Sequence, residues 1–181
     1  LEEPESLDGT SELSDAFWDY GLVQRLETPN SSSPALSAYF AAQIVNVDKG
    51  LFSANSTVRD LFGASDVHHI FPKNYLKQTE VLNVRSIYNQ VANYTYLDTP
   101  VNVKIGDKAP NVYFKEALDS ATETGNVFGT PMTLDELKKN MAMNCIPLDI
   151  VNWDYNQYIN DFLPQRRKLM AAKIKAYYQG L

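Results

Sequence analysis

The chain has 181 residues, a formal net charge of −6, 44% hydrophobic and 21% charged side chains, one cysteine and two histidines. This is the profile of an ordinary globular protein large enough to bury a core. The single Cys145 excludes an internal disulfide and a cysteine-built metal cluster, and points to a reducing compartment. No apolar run approaches the roughly 18 residues of a membrane span, and net acidity argues against a general nucleic-acid binder.

The acidity is not evenly spread. Residues 1–65 carry 3 basic and 10 acidic side chains, residues 66–118 carry 6 and 5, and residues 119–181 carry 7 and 7. Two thirds of the chain is therefore not repulsive to phosphate.

In chain order, residues 1–12 read as an acidic, solvated lead-in. Phe17, Trp18, Leu22, Val23 and Leu26 fall at helical spacing, with Ser14 or Asp15 as N-cap. The Pro- and Ser-rich stretch at 28–34 breaks that helix. A second helix starts at Pro34 with Ser33 as cap and is expected to run to Gly50. A short third helix is expected at 57–62, stopped by Gly63.

Residues 68–72 read as a strand ended by Pro72, and Tyr94, Thr95, Tyr96 and Leu97 as its hairpin partner. The connection between them is expected to hold some helix at 74–77 and 85–91. A short helix follows from Pro100 to Ile105, stopped by Gly106, and another from Pro110 to Asp119. Residues 120–130 read as loop, and Thr130 or Thr133 caps the next helix. The last helix is expected from Asp154 to Gln179 with an interruption at Pro164. Its apolar stripe is Leu163, Met170, Ile174, Tyr177 and Leu181. Arg166, Arg167, Lys168, Lys173 and Lys175 lie elsewhere on it, a solvated face in the first instance and a DNA-backbone track in the second.

The fold class is therefore α+β with helix dominant: a helical segment over 1–65, a hairpin-plus-helix core over 66–118 and a helical segment over 119–181.

The chemistry concentrates at Asp66-Val67-His68-His69-Ile70-Phe71-Pro72-Lys73, where both histidines stand side by side. Imidazole is the side chain that acts as general base or neutral metal ligand near pH 7 without a large pKa shift. Phosphodiester hydrolysis needs a base to activate water and a cation to neutralise charge at the phosphate. Adjacent strand residues face opposite ways, so two histidines serve one site only where the strand bends, as Pro72 suggests. A histidine pair by itself is more often incidental than catalytic. Asn93 by itself is a turn or cap residue, Asn102 a helix cap, and Lys73 and Lys108 solvated charges.

Together, "VHHIFPK" (67–73) and "VANYTYLDTPVNVKIGDKAP" (91–110) resemble an HNH, or ββα-metal, endonuclease. More narrowly, the chain resembles the C-terminal nuclease domain of GmrSD-type modification-dependent restriction enzymes. The likeness extends to "SPALSAYFAAQ" upstream and to "NCIPLDI" and "FLPQRRKLMAAKIKAYY" at the end.

That resemblance implies a ββα-metal core and a metal-dependent DNA endonuclease activity that leaves 5′-phosphate and 3′-hydroxyl ends. It makes His69 the general base, Asn93 the residue that ties the hairpin loop and holds the base, and His68 and Asn102 the metal ligands. Lys73 and Lys108 become phosphate contacts. The cofactor implied is one divalent ion, Mg2+ first, with Mn2+, Ni2+ or Zn2+ as softer candidates for an imidazole-containing site. A histidine where the family usually has a carboxylate, and Asn102 in place of a final histidine, make a weak cage; Asp66 or Asp98 is expected to help.

The resemblance also implies DNA as partner, a restriction or anti-phage role in a prokaryotic cytoplasm, and an upstream nucleotide-binding regulatory domain. The start at Leu1 rather than Met fits a piece of a longer chain. Two other classes remain open: an inactive nucleic-acid or protein-binding module on the same fold, and a hydrolase of RNA or small phosphodiesters.

Overall fold

The computed structural model describes residues 13–181; the acidic lead-in expected at 1–12 lies outside the described residues. The architecture is α+β and helix-dominant. A π-helical stretch (Phe17–Gly21) winds into α1 (Leu22–Arg25), followed by α2 (Pro34–Val45) and α3 (Val58–Leu61). Then come β1 (His68–His69), α4 (Lys73–Leu76), α5 (Arg85–Tyr88), β2 (Tyr94–Thr95), α6 (Thr99–Ile105) and α7 (Pro110–Glu123). A second hairpin of β3 (Asn126–Val127) and β4 (Thr130–Pro131) precedes α8 (Leu134–Met143) and α9 (Leu163–Gln179). Each sheet is an antiparallel pair, with His68 opposite Thr95 and His69 opposite Tyr94 in the first. Among the described residues, no helix is long and apolar enough to cross a membrane.

Local chemistry accounts for most helix starts. Ser33 Oγ accepts from Leu36 N–H at 3.3 Å with Pro34 in the first turn of α2. Thr57 with Asp60, and Thr133 with Glu136, form reciprocal capping boxes on α3 and α8. Of the two caps considered for α8, Thr133 is the one used.

Four boundaries differ from expectation. Helix α2 stops at Val45, because Val47 takes φ +56° and Asp48 N–H turns back to Gln43 O at 2.9 Å. Gly50 is instead a close-approach residue: a Cβ there would lie 2.5 Å from Leu61 Cδ1 and 3.2 Å from Tyr96 O. The expected loop at 120–130 holds the end of α7 and the β3–β4 hairpin, which turns through Gly129 at φ +93° with its N–H on Asn126 Oδ1 (2.8 Å). The strands at 68–72 and 94–97 shrink to two residues each. Helix α9 begins at Leu163 rather than Asp154, with Pro164 in its first turn, where the chain changes from π- to α-helical winding. A 3-10 turn (Tyr155–Gln157) and a π-helical stretch (Tyr158–Phe162) lead into it.

The basic face expected on α9 is the largest correction. Arg166 is fully buried and Arg167 nearly so, at 0% and 8% exposure. Arg167 reaches Glu27 at 3.4 Å, Lys173 reaches Asp48 at 2.5 Å and Lys175 reaches Asp15 at 3.3 Å. Arg167, Lys173 and Lys175 thus meet acids of the N-terminal third, while Lys168 stays exposed. Leu181, expected on the apolar stripe, is exposed.

Arg166 Nη1 donates to Ala92 O and Tyr94 O, both at 2.7 Å, and Nη2 to Asn144 O at 3.1 Å. Between those first two carbonyls, Asn93 O accepts from Ile70 N–H at 2.8 Å on the β1 side. One residue beyond, Tyr96 O accepts from Leu51 N–H at 2.8 Å. The outer side of β2 is thus lined by a guanidinium and a loop amide in place of a third strand. The loop carrying Leu51 is itself held by α8: Asn140 takes Phe52 N–H (2.8 Å) and gives to Gly50 O (2.9 Å), and Asn144 gives to Lys49 O (3.0 Å).

Replacing Arg166 by Leu strands three buried carbonyls, each worth about 1–3 kcal/mol when left unpaired. The expected loss is about 3 kcal/mol or more in urea unfolding, with Arg166→Lys retaining part of it. A variant within about 0.5 kcal/mol of wild type would contradict this assignment.

Candidate functional site

Both histidines line one cleft of about 340 Å³ together with Lys73 and Asn74 at the start of α4, and Asn102 and Asp107 from α6 and its end. Three short pieces build it. The β1–β2 pair presents the imidazoles, Pro72 turns the chain into α4, and Gly106 at φ +56° ends α6 with its N–H on Asn102 O at 2.9 Å. Adjacent strand residues ordinarily face opposite ways; both histidines nevertheless line this cleft, and His68 lines a neighbouring one as well.

Asn93 is fully buried. Its Oδ1 accepts from Phe71 N–H at 2.8 Å, and its Nδ2 donates to Phe71 O at 3.0 Å and Tyr88 O at 3.3 Å. It therefore fixes the turn two residues beyond His69. Tyr113 Oη donates to Ile70 O at 2.7 Å, so α7 holds the same turn from behind.

The group that touches the His69 ring is Asn89, whose Oδ1 lies 3.0 Å from Nε2. A neutral ring with its proton on Nε2 satisfies that contact and leaves the lone pair on Nδ1. Tyr94 stands edge-on to the ring at 5.2 Å. Sequence reasoning passed over Asn89; the available signal was an amide four residues ahead of Asn93, on the last turn before the 3-10 helix Val91–Asn93.

Burial lowers the pKa of both imidazoles. For His68 the Asp66 carboxylate works against that shift; for His69 the Asn89 hydrogen bond works against it, while Lys73 and His68 add to it. Both rings thus favour the neutral form, the one in which imidazole is base or ligand. Among the described residues, the buried Nε2 of His68 has no hydrogen-bond partner.

The supporting carboxylates fall elsewhere. Asp98 Oδ1 accepts from Ser56 Oγ at 2.8 Å, and Asp66 lines a neighbouring cleft that also reaches His68. Asp107 lies in the His cleft, its Oδ2 3.3 Å from Asn74 Nδ2. Among the described residues, no group of three or more His, Cys, Asp or Glu side chains is placed to hold a metal ion. One imidazole and one amide oxygen are a weak donor set for Mg2+, which is usually held through carboxylate and phosphate oxygens, and suit a softer ion better.

Lys73 is exposed at the cleft with its Nζ 5.4 Å from the centre of the Tyr88 ring. Lys108 does not line the cleft, and its Nζ pairs with Glu116 at 2.6 Å. Tyr88, Tyr94 and Tyr96 are buried in the core. No protein-family model, curated protein or solved structure matches the chain.

Two outcomes follow. Between the lowered native pKa values and the ordinary value near 6.5, the unfolded chain binds more protons than the folded one. Stability is then complete above about pH 6.5 and falls as pH drops below it, which unfolding midpoints across that range would record. Asn89→Ala removes the contact that opposes the shift, so His69 should titrate at still more acidic pH by NMR. A move to higher pH would show that Asn89 does not favour the protonated ring.

Proposed function

We propose that the chain is a metal-dependent DNA endonuclease domain with a ββα-metal core formed by β1, β2 and α6. The observation that carries the reading is the convergence of His68, His69, Lys73 and Asn102 on one cleft, in the order that the HNH resemblance assigns to them.

In this reading His69 takes a proton from the attacking water at Nδ1, while Asn89 holds the opposite edge of the ring. His68 and Asn102 would hold the divalent ion, Mg2+ first and Mn2+, Ni2+ or Zn2+ as alternatives. Bound there, that ion supplies charge neutralisation at the scissile phosphate. Lys73 draws the phosphate into the cleft mouth; Lys108 reaches it only by giving up Glu116. Asn93 acts through the backbone, holding Phe71 so that His69 faces the cleft. The restriction or anti-phage role, the possible preference for modified DNA and an upstream nucleotide-binding domain belong to this reading through the resemblance alone.

One observation favours a second reading. The sparse donor set, with no cluster of three strong ligands among the described residues, also suits a scaffold that binds nucleic acid or protein without cutting.

Supercoiled-plasmid nicking separates the two. Metal-dependent nicking that EDTA stops and His69→Ala reduces by about 100-fold or more supports the nuclease. Calorimetry on His68→Ala and Asn102→Ala should show Mn2+ binding weakened by about 10-fold or more. No nicking and no Mn2+ binding by the wild type would leave the scaffold.

A further inference from the structure

A second cleft, about 680 Å³, opens on the other side of His68. It shares Val67 and His68 with the first, and Phe62, Asp66 and Tyr96 are among its walls. The two clefts differ in chemistry. The first has Lys73 at its mouth; among the described residues, no lysine or arginine lines the second. The first cleft thus offers a cation to phosphate, and the second offers the Phe62 ring beside the Asp66 carboxylate, which suits a base and not a phosphate.

Phe62 supplies a flat surface. It is 54% exposed, yet it is not a loose side chain. Its ring meets Phe40 edge-on at 6.3 Å and Tyr96 at a tilt at 6.0 Å, and those two rings meet each other at 4.9 Å. Its backbone is held by Phe62 N–H on Val58 O at 2.8 Å, and the chain turns away immediately through Gly63 at φ +80°. An aromatic ring kept half in water on a rigid aromatic base, beside a cleft, is arranged to stack.

We propose that Phe62 is a stacking platform for an unpaired nucleobase of a nucleic-acid strand that crosses His68, with its phosphate on the Lys73 side. This rests on the nuclease reading for the direction of the strand, but the platform itself is tested by binding alone. It makes the preferred substrate single-stranded or locally unwound DNA rather than intact duplex, since a paired base has no free face to offer.

The test measures the affinity of the whole chain, in a His69→Ala background that prevents cutting, for a fluorescein-labelled single-stranded DNA oligonucleotide. Three probes are compared: the oligonucleotide, the same strand with abasic residues, and its fully paired duplex. Phe62→Ala and Phe62→Leu should each weaken the base-bearing strand by about 10-fold and leave the abasic strand and the duplex unchanged. Phe62→Trp should restore the affinity, with its fluorescence quenched on binding. Phe62→Leu keeps the apolar bulk without the π face, so wild-type affinity in that variant overturns the proposal. Equal losses on the abasic strand or the duplex overturn it, as does failure of the parent to bind the single strand. Stacking that persists in a chain that neither nicks plasmid nor binds Mn2+ would retire the nuclease and keep the platform.

Discussion

The fold of the site depends on a buried guanidinium. Among the described residues Arg166 has no carboxylate partner; its charge is met by three main-chain carbonyls and by the Tyr39 ring, 6.0 Å from its centre. Burying a cation this way is costly unless its hydrogen bonds are made, and here they fall on either side of Asn93. The same residue therefore sets the path of β2, the depth of Asn93 and, through Phe71, the turn that follows the histidines. Its third bond, to Asn144 O, joins this to α8, which in turn holds the Lys49–Phe52 loop against β2.

This arrangement shows how a two-residue sheet persists. So short a pair has little stability of its own, and side chains from distant helices complete its hydrogen bonding. The cost is long-range dependence: residues over 70 positions apart in sequence must meet before the histidines are placed.

Much of this was legible in sequence where the signal is local. Ser33 with Pro34 announces α2, Gly63 the end of α3, and Thr133 was one of two caps offered for α8, because caps and stops are short-range chemistry. Gly106 announces the end of α6 for the same reason. The adjacency of His68 and His69 was plain in the sequence, but that Lys73 and Asn102 belong with them was implied only by the HNH resemblance. The fate of Arg166 was not, since helical periodicity cannot distinguish an arginine that faces water from one whose carbonyl partners come from another segment. Lys108 shows the same limit, because Glu116 meets it across the turn into α7. Gly50 looked like a helix stop and is instead a site of close packing, a distinction set by Leu61 and Tyr96. Asn89 was hidden because its partner is a side chain twenty positions earlier.

The covered outer side of β2 has a consequence for how this chain meets others. A bare strand edge invites pairing with another extended chain, and proteins usually defend it with charge, proline or a bulge. Here the carbonyls of Ala92, Tyr94 and Tyr96 are already taken, so strand addition has no free acceptors there. Pairing of another extended chain through those acceptors is closed off on that side of the sheet.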